Sequence, residues 1–373
     1  MKHVDVLVVG SGAGGATTAA TLARAGVDTL VLEEGPDIAA GVLPQFSQDQ
    51  MRAQYRNRGQ LVALGIPPIA YAEGRCVGGS TEINSGLYHP PSPELLARWS
   101  RIWHIDGLDS QDVAPISAAL EQNLSVGMFP GPLPPASQFL ADGARQLGWR
   151  AVEVPRWYRH DRGERQSMSR TYLQEAVKAG AQIRSGAWVR RLEVHNGRAG
   201  AAWVEYADGS TERIAFDAAF VCGGAVQSPA LLLRSGIRRK VGRTLSLHPT
   251  VKAVARSSRI GNDPRDVPVT QVREFAPNMT IGGSATDPAL LALALLETAV
   301  GVGGVTEYGL DAGIYYAAIR SPGRGRVRVL PRTRDPVVTF PTSHRDMARL
   351  RSALGRLLLV LLAAGAEEVV PSV

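Results

Sequence analysis

The chain has 373 residues, room for two or three domains at about 150 residues each, and its 45% hydrophobic and 20% charged content excludes a largely disordered protein. Two cysteines, Cys76 and Cys222, exclude a disulfide framework and a four-cysteine zinc site. The formal net charge of +7 rests on 41 basic residues, of which only four are lysines; with 40 glycines this is the bias of GC-rich coding, and arginines spread through a chain with 6% aromatics argue against a nucleic-acid surface.

Residues 4–9, Val4-Asp5-Val6-Leu7-Val8-Val9, read as a short buried parallel strand. They hold an Asp and run into glycines, not into a cleavage site, so no leader is expected. Gly10-Ser11-Gly12-Ala13-Gly14-Gly15 follows and fits G-x-G-x-x-G at 10, 12 and 15. A small-residue helix then runs from Ala16 to Ala25, stopped by Gly26, and a second strand over 28–32 ends in Glu33. Glu33 lies 18 residues past Gly15 (33 − 15), close to the spacing of about 20 expected of a ribose-binding acid. Gly10 permits the tight turn, Gly12 lets the backbone approach a pyrophosphate, and Gly15 lets helix pack on strand. The helix N-terminus supplies free N–H groups and partial positive charge. Forty glycines make a lone match weak, but strand, turn, helix, strand and acid in order within 33 residues make a strong one. A dinucleotide is expected here, and Glu33 alone does not separate FAD from NAD.

Gly78-Gly79-Ser80, with Asn84 beyond it, forms a second small-residue block where a backbone can lie against a large flat ligand. Much later, residues 189–194, 201–206 and 211–216, turned at Asn196-Gly197 and Asp208-Gly209, read as a three-stranded antiparallel meander. A strand over 218–222 leads to Gly223-Gly224, and a helix over 230–235 is expected to carry Pro229 in its first turn. A Rossmann-like opening, an inserted meander and a strand returning to a Gly-Gly turn suggest a large flavoprotein.

These residues resemble the glucose–methanol–choline (GMC) oxidoreductase family. The resemblance rests on the opening fingerprint with Leu32-Glu33-Glu34-Gly35, the Gly78-to-Asn84 block, and above all Gly224-Ala225-Val226-Gln227-Ser228-Pro229-Ala230-Leu231-Leu232-Leu233-Arg234-Ser235-Gly236-Ile237. It extends to Gly242-Arg243-Thr244-Leu245-Ser246-Leu247-His248-Pro249 and to Gly323-Arg324-Gly325-Arg326-Val327. It implies an α/β (α+β overall) architecture: a Rossmann-like FAD-binding domain with an inserted meander, over residues 1–95 and 180–250, and a mixed-sheet substrate domain with connections over 96–179 and 251–373. It implies FAD as cofactor and oxidation of a small alcohol, with hydride passing from the carbinol carbon to flavin N5. Gly10, Ser11, Gly12, Gly14 and Gly15 would hold the pyrophosphate, Glu33 and Glu34 the ribose end, and Gly78, Gly79, Ser80 and Asn84 the flavin. Val189 would meet the adenine through its backbone, and Gly223 and Gly224 would close on the diphosphate.

The family pattern continues with a segment carrying a catalytic His and its partner, which is expected beyond Val373. None of the seven histidines (3, 89, 104, 160, 195, 248, 344) matches that position, so no catalytic residue is assigned; His89 is nearest in sequence to the flavin block. The expectations are a fragment of a longer enzyme, half of a split enzyme completed by a partner chain, or a cofactor-binding relic, in that order. A flavoprotein using NAD(P)H would show a second fingerprint, and only one is present. The electron acceptor is not legible.

The remainder is plainer. Residues 95–180 mix short helices with proline-rich connections such as 129–135. Arg326-Val327-Arg328-Val329-Leu330 alternates, as a strand with a solvated arginine face. Leu350, Leu354, Leu357, Leu358 and Leu361 form a helical apolar stripe, read as a helix covering a sheet. The apolar runs at 290–296 and 357–364 fall short of the roughly 20 residues that span a bilayer. No H-E-x-x-H, C-x-x-C, P-loop or G-x-S-x-G is present, so no metal site is expected, and the reading is a cytoplasmic protein.

Overall fold

The computed structural model describes residues 2–261, 263, 267–296 and 298–372. Two six-stranded sheets organise it. The first runs, edge to edge, Ala187–His195, Arg198–Tyr206, Thr211–Val221, Lys2–Val9, Thr29–Leu32 and Gln182–Arg184. Its first three strands are the antiparallel meander and its last four form a parallel set. Thr211–Val221 belongs to both. It pairs antiparallel with the meander through residues 211–215 and parallel with Lys2–Val9 through residues 214–221. The two strands expected over 211–216 and 218–222 are therefore one, because Asp217 continues the extended backbone instead of breaking it.

The opening helix spans Ala13–Arg24 and packs Ala16, Ala19, Ala20 and Ala23 beneath the sheet together with Leu173 and Ala176 of the helix Tyr172–Lys178. Alanines allow the close approach that larger side chains would prevent. On the opposite face, Leu7, Leu30, Val204, Ile214 and Leu231 form a second core. Leu231 comes from the helix Gly224–Arg234, which begins six residues earlier than the sequence suggests and holds Pro229 inside it.

The second sheet runs Glu368–Ser372, Thr250–Arg256, Ala312–Ile319, Met279–Gly283, Thr270–Val272 and Ala151–Glu153. The mixed α/β architecture divides cleanly: parallel pairings fall in the first sheet, and all five pairings of the second are antiparallel. Alternate residues Val251, Ala253, Ala255, Ile281, Tyr315 and Ala317 point to one face, where helices Pro135–Gln146 and His344–Ala363 cover them with Phe139, Leu140, Leu357, Val360 and Leu361. The leucine stripe is thus a sheet cover, as its spacing suggests. Gly143 sits where these helices cross, since a Cβ there would run into the Val360 carbonyl. Ser343 opens the long helix with a capping box, its hydroxyl accepting from the Asp346 N–H while Asp346 accepts from the Ser343 N–H. Among the described residues, no helix is long and apolar enough to cross a membrane.

Two short hairpins, Leu61–Ala63 with Ile69–Tyr71 and Arg326–Arg328 with Val337–Thr339, sit beside the first sheet's helix Gly224–Arg234. Arg326 and Arg328 are exposed and Val327 buried, which is the alternation the sequence shows.

Candidate functional site

A cleft of about 560 Å³ opens at the C-terminal ends of the parallel strands Lys2–Val9, Thr29–Leu32 and Thr211–Val221. That is where an open α/β sheet offers a crevice between diverging connections. Glycines shape its floor. Gly10 has φ +100°, and a Cβ there would lie 2.6 Å from the Cys222 carbonyl oxygen. Gly79 has φ +57°, and a Cβ on it would lie 2.9 Å from the Gly12 Cα, so the two glycine turns touch backbone to backbone.

Two helices aim their N-termini into the cleft. Both are capped by glycine, Gly12 for Ala13–Arg24 and Gly223 for Gly224–Arg234, and neither cap supplies a side-chain acceptor. Elsewhere Ser47, Ser92, Asp109, Asp287 and Ser343 each cap a helix with their own oxygen. The first N–H groups of the cleft helices are thus the donors left for an anion, and the helix dipoles favour negative charge there.

Glu33, at the end of Thr29–Leu32, is buried. Its Oε2 accepts from the Ser11 N–H at 3.0 Å and the Ser11 hydroxyl at 2.7 Å, and its Oε1 from the Gly35 N–H at 2.9 Å. Of roughly four acceptor sites on a carboxylate, three are used. Ser11 Oγ in turn accepts from the Gly78 N–H at 3.0 Å, so one serine ties the fingerprint, the acid and the second glycine block together. Burial raises the Glu33 carboxyl above its usual range, against the lowering effect of these hydrogen bonds.

Glu34 behaves oppositely. It accepts from Arg56 at 2.6 and 3.1 Å and from Arg334 at 3.1 Å, with Arg75 at 3.3 Å. Burial alone would raise it, but the Arg56 hydrogen bonds and the charges of Arg56, Arg334 and Arg75 hold it below the ordinary carboxylate range. Arg56 also meets Glu73 at 3.2 Å and Asp335 at 3.1 Å. Trp188, beside Val189 in the cleft wall, lies under the guanidinium groups of Arg334 at 4.6 Å and Arg234 at 5.1 Å.

Of the residues expected at a cofactor, Gly10, Ser11, Gly12, Gly14, Glu33, Glu34, Gly79, Ser80, Asn84, Val189, Gly223 and Gly224 line this one cleft. Gly15 and Gly78 do not. Gly15 lies beneath it, where a Cβ would run into the Gly10 carbonyl oxygen, and Gly78 turns the second block at φ +89° over the Glu82 side chain. Arg165 holds that block from below by donating to the carbonyls of Glu82 and Asn84, and burial pulls its pKa down to about 10. Sequence reasoning missed Arg56, Glu73, Trp188, Arg234 and Ser246 in the wall. Trp188 was within reach, since it adjoins a residue already singled out; Arg334 and Asp335 arrive from 300 residues away and carry no local signal.

The family model described as GMC oxidoreductase matches residues 4–250. The chain belongs to the GMC oxidoreductase family. It is 34% identical to an uncharacterised GMC-type oxidoreductase, y4nJ, of Sinorhizobium fredii, over all of this chain and 77% of the relative. It is 27% identical to the long-chain-alcohol oxidase FAO4B of Arabidopsis thaliana, over 98% of this chain and 53% of that protein. It therefore spans about half the length of the plant oxidase. A formate oxidase of Aspergillus oryzae superposes with TM-score 0.76 at 15% identity, over 100% of this chain and 83% of that one, a likeness of fold. This GMC chain is an FAD flavoprotein by family, and the cleft fits the group: a glycine floor, two helix N-termini without side-chain acceptors for a diphosphate, and a buried acid with an acceptor site left.

No histidine lines the cleft among the described residues. His89 keeps solvent access but lies outside the cleft, and partial desolvation of its ring, with the Arg273 charge, lowers its pKa. His160 packs its ring on Phe129 and Tyr158, His195 ends a hairpin strand, and the His248 carbonyl accepts from the Thr250 hydroxyl.

Proposed function

We propose that this chain binds FAD and oxidises the CH–OH group of a small alcohol. The observation that carries the reading is the pair of glycine-capped helix N-termini, of Ala13–Arg24 and Gly224–Arg234, that both line one cleft. Bound FAD supplies the two-electron acceptor for a carbinol hydride. The chain's own residues then have distinct tasks. N–H groups of residues 12–14 and 223–225 receive the diphosphate, and the remaining acceptor site of Glu33 receives a ribose hydroxyl. The backbone beside Val189 and the Trp188 wall bound the adenine. Gly79, Ser80 and Asn84 border the flavin, the missing side chain of Gly79 letting its turn close on Gly12 beside it. In this reading residues 1–95 and 180–250 hold the cofactor, and residues 96–179 and 251–373 receive the substrate.

Proton removal from the alcohol calls for a base with pKa near the operating pH, a task suited to histidine. The cleft lining has none among the described residues, which favours a second arrangement: this chain holds FAD, and the base comes from a segment or partner chain outside residues 1–373. One experiment separates the two. The purified chain is loaded with FAD, its visible band is recorded, and a panel of alcohols is added without oxygen. Bleaching by an alcohol places cofactor, pocket and base within the chain. A stable flavin band that no alcohol bleaches supports the incomplete site, and failure to hold FAD at all defeats the cofactor reading.

A further inference from the structure

Residues 218–262 contain no Asp or Glu, and neither do residues 312–334. The fold lays parts of these acid-free segments side by side. Leu245 and Gly325 exchange N–H to carbonyl bonds at 3.1 and 2.7 Å, and the Val327 N–H donates to Gly242 at 2.9 Å, so residues 242–245 run along the strand Arg326–Arg328. Arg238, Arg239, Lys240, Arg243, Arg324, Arg326, Arg328 and Arg332 are all exposed there. Among the described residues, none of the eight has a carboxylate within 4.0 Å. Subtracting them from 41 basic residues leaves 33 against 34 acidic ones, so these eight residues of the two segments account for the chain's whole cationic excess, and five of the eight, Arg238, Arg243, Arg324, Arg326 and Arg328, line two adjoining grooves. Coding bias explains why the cations are arginines; it does not explain why folding brings five of them around adjoining grooves.

An apolar projection stands in the same surface. The hairpin Leu61–Ala63 with Ile69–Tyr71 is docked through Leu64, whose N–H donates to Val338 and whose carbonyl accepts from Phe340, both at 2.9 Å. Residues 59–72 contain no charged side chain. At the tip Ile66 is 91% exposed and Leu64 56%, and Leu330 nearby is 51% exposed. A shallow groove of about 580 Å³ is lined by Leu64, Gly65 and Ile66 on one side and by Arg324, Arg326 and Arg328 on the other, so the apolar tip and the arginines face one space. A second groove of about 470 Å³ continues past Arg326 and Arg328 to Arg238 and Arg243.

We propose that this surface docks the protein peripherally on an anionic lipid bilayer, with the 64–68 tip entering the interface and the groove arginines Arg238, Arg243, Arg324, Arg326 and Arg328 meeting the headgroups. Stable peripheral attachment takes two signals, buried apolar surface and basic charge, and both are present here. A nucleic acid fits less well: residues 237–247 and 320–334 contain no aromatic side chain on which a base would stack. An acidic protein would pair with the cations but leaves an uncharged, solvent-facing Ile66 without a function.

The test is co-sedimentation of the 373-residue chain with vesicles of phosphatidylcholine containing about one-third phosphatidylglycerol, against pure phosphatidylcholine, at about 0.1 M salt. Binding to the anionic vesicles alone is expected. The double variant Arg326→Glu/Arg328→Glu is expected to lower partitioning by about tenfold or more, and Ile66→Asp by about tenfold with every cation retained. All three side chains are exposed, and unchanged thermal midpoints and circular dichroism check that the variants fold. No vesicle binding by the unaltered chain overturns the proposal, as does binding that survives either variant. So does binding of a DNA duplex of about 20 base pairs at the same salt that the double variant abolishes and Ile66→Asp leaves unchanged.

Discussion

Both six-stranded sheets rest on apolar cores, but they differ in what makes their other contacts. The first meets the cleft with backbone: glycines at 10, 12, 15 and 79 bring main chain against main chain, and single polar contacts such as Ser11 to Glu33 hold the turns. The second buries its helix-covered face in interlocked side chains, with Tyr315, Phe139, Leu140 and Leu357 all essentially inaccessible. A site built from backbone has no slack, because a main-chain atom cannot swing aside, whereas a core of many apolar contacts spreads a local change over its neighbours. Each of the following substitutions tests that difference.

The largest effect is expected at Gly15. A methyl group there meets the Gly10 carbonyl, which is fixed by the strand Lys2–Val9 and its turn. Gly15→Ala is expected to cost at least about 3 kcal/mol and to weaken FAD binding, since the turn that must shift is the one over the cleft. Urea unfolding and a flavin fluorescence titration measure the two. Stability within about 0.5 kcal/mol of the unaltered chain would show that the first sheet has the slack denied to it here.

Next comes Glu34→Gln. It removes one carboxylate from the buried Arg56, while Glu73 and Asp335 remain, so the cost is expected at roughly 2 to 3 kcal/mol, below that of an unpaired buried charge. The pH dependence has a definite sign. A carboxyl held below its usual pKa when folded contributes stability that is complete above the unfolded value and lost as pH falls through the folded one. Glu33, raised by burial, does the reverse: its ionisation costs stability above the unfolded value, and that cost disappears as pH falls. Stability measured from neutral pH into acid should therefore fall less steeply in Glu34→Gln than in the unaltered chain, and equal slopes would remove Glu34 from the account.

How far the sequence reached follows the same division. The opening strand, its fingerprint, the helix and Glu33 are contiguous, and each residue type answers a local steric or dipolar demand, so they were legible. The meander was legible from Asn196-Gly197 and Asp208-Gly209. Thr211–Val221 was misread as two strands because nothing in Phe216-Asp217-Ala218 says that two partners, one antiparallel and one parallel, share one backbone. The early start of Gly224–Arg234 was missed because Pro229 suggested a first turn. The arginine surface stayed hidden for a different reason: its two halves lie some eighty residues apart, and long-range backbone pairing, Leu245 with Gly325 and Val327 with Gly242, joins them.

A smaller cost is expected from Ser11→Ala. The change leaves the buried Gly78 N–H without its acceptor and takes one of three donors from Glu33. About 2 kcal/mol follows for one buried donor left unmet. The measurement that distinguishes this from general loosening is FAD affinity: uncoupling the two glycine turns should weaken it even in conditions where the variant is fully folded. Unchanged affinity would confine Ser11 to a structural part.

The smallest effect is expected in the second sheet, at a position no less buried. Leu357 is fully enclosed among Phe139, Tyr315 and the other side chains under the long helix. Leu357→Met keeps nearly the same volume on a more flexible stem, and its cost should stay below about 1 kcal/mol with FAD affinity unchanged. A loss as large as that of Gly15→Ala would mean that the second core is as intolerant as the cleft, and that burial alone, not backbone contact, sets the tolerance of both sheets. A small loss here beside a large one at Gly15 would instead assign the rigidity of the cleft to its glycines, since one added methyl would then matter more than an exchanged core side chain.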